Sequence, residues 1–115
     1  MKTTQDKIAA LKFDYVDSDI TPENFPDTEV RTERKIFHFD QSVSSEEAVQ
    51  RMEKEGWSPA NLAELLDYAK NEWSGKDWVV ALGSSAQIGG GLHVPCLYRC
   101  AAGRNLHLLW WSDGW

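Results

Sequence analysis

The sequence predicts an α+β fold, with two helices packed on an antiparallel sheet. Three observations predict it. Two amphipathic segments with helix-start signals follow one another with no strand between them. Four other segments read as strands, the last two of them joined as a hairpin. Finally, 115 residues, 42% hydrophobic and 26% charged, are the length and composition of one ordinary globular core. Helices that are grouped, rather than alternating with strands, favour α+β over a doubly wound α/β arrangement. The expected organisation is an irregular N-terminal arm over 1–27 and a single α+β domain over 28–115.

The arm begins with Lys7 to Phe13, where Ile8 and Leu11 stand three apart and allow a helical turn or two. Asp14 to Pro26 then carries two prolines and several carboxylates, the composition of a turn-rich loop. Tyr15, Ile20 and Phe25 are its expected anchors on the body. Thr28 to Asp40 alternates as a strand, polar on both faces at first, with Ile36 to Phe39 entering the core. Ser44 followed by Glu47 fits a capping box, Ala48, Val49 and Met52 form the buried stripe, and Gly56 stops the helix. The second helix places Pro59 in its first turn, with Asn61 and Glu64 as a second possible cap. Leu62, Leu65, Leu66, Ala69 and Trp73 give its apolar period.

Trp78 to Leu82 is a short apolar run of the kind that forms a buried strand. Gly83 to Gly91 reads as a loop. Val94–Cys100 and Asn105–Trp111 read as a hairpin around Ala101 to Arg104, with Gly103 supplying the left-handed residue of a three-residue turn. That turn places Val94, Cys96, Tyr98, Leu106, Leu108 and Trp110 on one face. Leu97, Arg99, His107, Leu109 and Trp111 fall on the other.

The composition excludes several classes. The formal charge is −6, which opposes general nucleic-acid binding and suits basic partners. No apolar run approaches the ~20 residues of a membrane span. The start lacks the apolar region of a secretory signal, and two cysteines with no such signal fit a reduced, cytoplasmic setting. Cys96 and Cys100, four apart on a strand, stand roughly 13 Å apart, too far for a disulfide. His93, Cys96, Cys100 and His107 are zinc-type ligands, but both His–Cys pairs have opposite strand parity. Asp17, Asp19 and Thr21 lack the Gly and the late Glu of a calcium loop. Gly89-Gly90-Gly91 lacks the lysine and the strand–helix setting of a phosphate loop. Ser84 and Ser85 lack a nucleophile-elbow pattern, and no cofactor motif is present.

Tryptophan is the unusual residue. There are six, and Trp110, Trp111 and Trp115 fall within the last six positions. Indole rings near cations and hydrogen-bonding groups suit a sugar, a peptide or a protein surface. The expected ligand-binding surface is therefore Arg99, Arg104, His107, Trp111, Asp113 and Trp115, with Trp110 in the core.

Two stretches resemble a family of bacterial proteins found mostly in uncultured candidate phyla, a family with no activity to carry over. One is Phe13 to Pro26. The other runs through Phe37-His38-Phe39-Asp40, Ser44 to Ala48, Glu55 to Leu66, Val80 to Ser84 and Val94 to Leu97. At fold level, an early Glu-Glu-Ala helix, a Gly-Trp-Ser-Pro link, an Ala/Glu/Leu helix and late strands are similar to C-type-lectin-like domains. The likeness is to the branch that includes formylglycine-generating-enzyme-like domains and retroelement-diversified binding proteins. That resemblance implies ligand or protein binding by the late loops and strands. The catalytic cysteines and the calcium-binding Glu-Pro-Asn motif of those relatives have no counterpart here. The bacterial family runs on past the Trp-rich strand, whereas this chain stops at Asp113-Gly114-Trp115, which implies an open sheet edge and a possible homodimer.

The expected function is a non-catalytic binding or interaction module using the Trp-rich hairpin face, with a protein or small-molecule partner. The alternatives are an enzyme using Cys96 or Cys100 as nucleophile, and an acidic inhibitor or accessory protein of a mobile element that covers a basic partner.

Overall fold

A computed structural model describes residues 3–31, 33, 35–37, 43–73, 78–100 and 103–112. It is a compact α+β fold. Its described elements, in chain order, are α1 (Thr4–Leu11), β1 (Tyr15–Val16), α2 (Ser45–Lys54), α3 (Leu62–Asn71), β2 (Val79–Val80), β3 (Ala86–Ile88), β4 (Gly91–Cys100) and β5 (Gly103–Trp110).

The two expected helices form where their caps place them. Ser44 accepts a hydrogen bond from the Glu47 N–H at the start of α2, and Gly56, at φ +86°, follows its end. At α3 the capping box is complete: Asn61 accepts from the Glu64 N–H while Glu64 accepts from the Asn61 N–H. The helix therefore starts at Leu62, and Pro59 lies before it rather than in its first turn. Trp73, the last residue of the expected period, lies beyond the helix end and is half-buried.

A third helix, α1, replaces the irregular arm. Thr3 and Asp6 close a capping box on it, and its Thr4 N–H donates to Asp27 at 2.7 Å. Ile8 from α1, with Ile20 and Phe25 from the loop that follows, is buried in the main core. This segment is thus part of the folded body. The sequence signal for α1 is weak because its apolar face is narrow and its stability comes from packing.

The described residues of the stretch 28–40 do not form the expected strand. Ile36 is exposed, and His38 to Asp40 lie outside the described residues. Arg31 explains the change. Its backbone N–H and its guanidinium all donate to Glu64, so this part of the chain is tied to a helix rather than to a ladder.

The sheet is mixed, in the order β1-β5-β4-β2, with β3 also on β4. β1 runs parallel to β5, and the other pairings are antiparallel. β2 and β3 share the outer edge of β4, separated by a bulge over 81–85. Pro95, which has no N–H to give a neighbour, sits on β4 opposite this break. Within the bulge, Gly83 donates to the Ala60 carbonyl at 2.7 Å and Ser84 Oγ accepts from the Leu62 N–H at 2.8 Å. These two bonds dock the start of α3 on the sheet. The expected loop over Gly83–Gly91 is in part a hairpin, since β3 turns into β4 at Gly89 and Gly90, both at positive φ.

The β4–β5 hairpin forms, but in a different register. Its pairing closes at Cys100↔Gly103, with Cys96 opposite His107 and Leu97 opposite Leu106. The expected three-residue turn would pair Cys100 with Arg104, one position away from the observed register, and a shift of one moves one strand's side chains to the opposite face. One face carries Leu97, Leu106 and Leu108 and is covered by α1 and α3, with Ile8, Leu62, Leu65, Leu66 and Ala69. On the other face Val94 packs with Ala48 of α2, Val43 and Leu82, flanked by Leu109 and Trp111. The core thus has two layers, one on either side of the sheet.

Candidate functional site

Register and helix coverage together set a row of rings on one sheet face. α2 covers the portion at Val94, Leu109 and Val80, and no helix residue joins Tyr98 or His107 in either core cluster among the described residues. Here Tyr15 pairs with Asn105 and Asn105 with Tyr98. The β2 register continues the same row to Trp78. The next row holds His107, opposite Cys96.

The rings form a chain. Trp78 stacks on Tyr98 with centroids 4.5 Å apart and planes 14° apart. Tyr98 meets the edge of the His107 ring at 5.7 Å, and His107 meets Tyr15 at 5.6 Å. Asp17 lies beyond, with Oδ2 3.6 Å from His107 Nδ1. That nitrogen is shielded from solvent and has no hydrogen-bond partner among the described residues. Trp78 is 59% exposed and Tyr15 47% exposed, which is high for large rings in a chain of this size. Three strands and the residue before β2 thus supply one aromatic row that ends in an imidazole and a carboxylate.

The six residues expected to form one surface are divided by the fold. Arg99 and Arg104 are directly opposite one another on the face covered by α1 and α3. His107 lies on the other face, in the aromatic row. Trp111 continues that second face, half-buried, but its role there is structural: its carbonyl accepts from Ser45 Oγ and its indole N–H donates to Glu46. Asp113 and Trp115 lie outside the described residues. Trp110, expected in the core, is 47% exposed and lies over His93, ring to ring at 4.1 Å. The register shift exchanged the two tryptophans: Trp111 found the cover of α2, and Trp110 was left at the edge.

Sequence reasoning missed Trp78, Tyr98 and Tyr15 as surface residues. Trp78 was expected inside a buried strand, but β2 is only two residues long and lies at the sheet edge. Strand parity holds the signal, because Trp78, Tyr98 and His107 share a face once the hairpin closes at Cys100↔Gly103.

Thiol chemistry has little support at Cys96. Its side chain is fully buried, and burial pushes the thiol up to about 12, a hydrogen bond from the His107 backbone offsetting part of the rise. A thiol in that state is not a nucleophile at neutral pH. The Cys100 side chain lies outside the described residues. For zinc, Cys96 and His107 are on one face and His93 on the other; no group of three or more His, Cys, Asp or Glu residues among those described is placed to hold a metal. The acidic loop bonds to itself: Asp17 accepts from the Asp19 N–H, and Asn24 donates to the Asp19 carbonyl. No described helix is long and apolar enough to cross a membrane.

No protein-family model, curated protein or solved structure matches the chain.

Proposed function

We propose that the protein is a non-catalytic binding module whose ligand rests on the aromatic row Trp78–Tyr98–His107–Tyr15. The observation that carries this reading is the exposure of Trp78 and Tyr15 at the two ends of a continuous ring chain on a sheet face. Buried rings stabilise a core. Half-exposed rings held in register by the sheet ladder present stacking area with little entropy left to lose on binding. Asp17, His107 and the tyrosine hydroxyls add hydrogen-bonding groups along the row, which suits a sugar or a peptide. The C-type-lectin-like likeness enters this reading as an architectural comparison, helices followed by ligand-bearing strands. A departure is that α2 and α3 lie on opposite faces of the sheet.

Ligand-observed saturation-transfer NMR against a panel of oligosaccharides and short peptides tests the proposal, with wild type and Trp78→Ala in parallel. Native mass spectrometry of the same samples records any dimer. Trp78→Ala should weaken the hits at least tenfold while costing about 1 kcal/mol of stability, the worth of one exposed ring stack. Hits that persist unchanged in both Trp78→Ala and Tyr15→Ala would remove the aromatic row from the reading.

A further inference from the structure

We infer that the cross-strand pair Arg99 and Arg104 forms an oxyanion site, suited to the phosphate group of a small ligand. The site is separate from the aromatic row, because it lies on the opposite face of the sheet.

The Arg104 carbonyl accepts from the Asp14 N–H at 2.8 Å, so it points toward β1 and away from β4. Arg99↔Arg104 is therefore a pair without mutual backbone hydrogen bonds, the geometry in which facing side chains come closest. Like charges directly opposite one another destabilise a sheet. The sequence has 18 carboxylates against 12 lysines and arginines, so acidic partners are plentiful. Even so, no ion pair joins Arg99 or Arg104 to a carboxylate among the described residues. Asp14 Oδ2 accepts from the Arg104 backbone N–H rather than from either guanidinium.

Arg104 is also held in place. Its guanidinium lies over the Trp73 ring at 5.2 Å and the Phe13 ring at 5.7 Å. Packing on two rings limits its rotamers. Arg99, its partner across the ladder, is exposed. Two guanidiniums on facing residues match a dianion in charge, and each offers the planar fork of donors that suits phosphate oxygens. A single carboxylate would neutralise only half of the pair.

The test is an NMR titration of the full chain with inorganic phosphate at pH 8, at ionic strength held constant with sodium chloride and with acetate as the monoanion control. The Nε–H resonances of Arg99 and Arg104 should shift with saturation in phosphate and at least tenfold more weakly in acetate. Arg99→Gln should weaken phosphate binding at least tenfold and leave the Arg104 stack and the thermal midpoint in place. Arg99→Lys should recover part of the affinity, since the charge returns without the fork. Shifts that rise linearly without saturation up to 50 mM (about the range of a weak single-site ligand), or equal binding in Arg99→Gln, would overturn the site. Neither result touches Trp78, so the two readings fail independently.

Discussion

Glu64 is the sharpest test of how this fold is held, because one carboxylate joins a helix start to a segment with no secondary structure of its own. Its side chain is 5% exposed. It accepts from the Arg31 N–H at 2.9 Å, from Arg31 Nε and Nη2 at 2.8 and 2.7 Å, and from the Asn61 N–H at 3.0 Å. Arg31 is about half exposed, so the ion pair itself is worth no more than ~1 kcal/mol. Losing the bond that closes the cap at Asn61 adds about 1 kcal/mol. Glu64→Ala should therefore cost about 2 kcal/mol at pH 7, roughly 10 °C in melting temperature for a chain of this size. Glu64→Gln keeps a neutral acceptor and should cost about half as much.

The same residue sets a pH dependence. Burial alone would raise the Glu64 carboxyl. The hydrogen bonds from Arg31, those from the Asn61 and Arg31 backbones and the Arg31 charge outweigh it and hold the group below its ordinary value of 4.5. A carboxyl lowered on folding stabilises the native state above its unfolded value, and that stability is lost as pH falls through the folded value. Urea denaturation of wild type and Glu64→Gln across this range should show a stability gap at neutral pH that closes on acidification below the ordinary value. A loss under ~0.5 kcal/mol in Glu64→Ala, below the usual cost of a removed buried hydrogen bond, or a gap independent of pH would refute the reasoning.

Two further outcomes follow from the packing. A Cβ on Gly83 would collide with the Pro59 and Ala60 carbonyl oxygens, which are backbone and cannot swing away. Gly83→Ala should lose the bond to Ala60 and strain the bulge, costing about 2–4 kcal/mol by denaturation; a loss under ~1 kcal/mol would show that the bulge yields freely. In a Cys100→Ser background, the buried Cys96 thiol should resist alkylation at pH 8 until the protein unfolds. Labelling of the native protein at the rate of a free thiol would contradict its burial.

What the sequence by itself determined was local. Ser44 and Asn61 mark their helix starts because a cap is a contract among residues three or four apart. The period of Leu62, Leu65, Leu66 and Ala69 fixes the buried side of α3 for the same reason. The hairpin also announces itself through two apolar runs around a glycine. Only the tertiary structure decided the rest. The hairpin register turns on which strand residues find cover, and that cover comes from α2, whose Ser45 and Glu46 bond Trp111 from more than sixty positions away. A slip of one residue would bury Trp110 and expose Trp111, and no residue within the hairpin distinguishes the two. β1 joins β5 in parallel across some ninety positions of chain, and Arg31 finds Glu64 on a helix 33 residues later. Neither partner is named by its neighbours. The aromatic row inherits this: Tyr15, Trp78, Tyr98 and His107 are unremarkable where they stand in the chain, and become one surface only when β1, β4, β5 and the residue before β2 align.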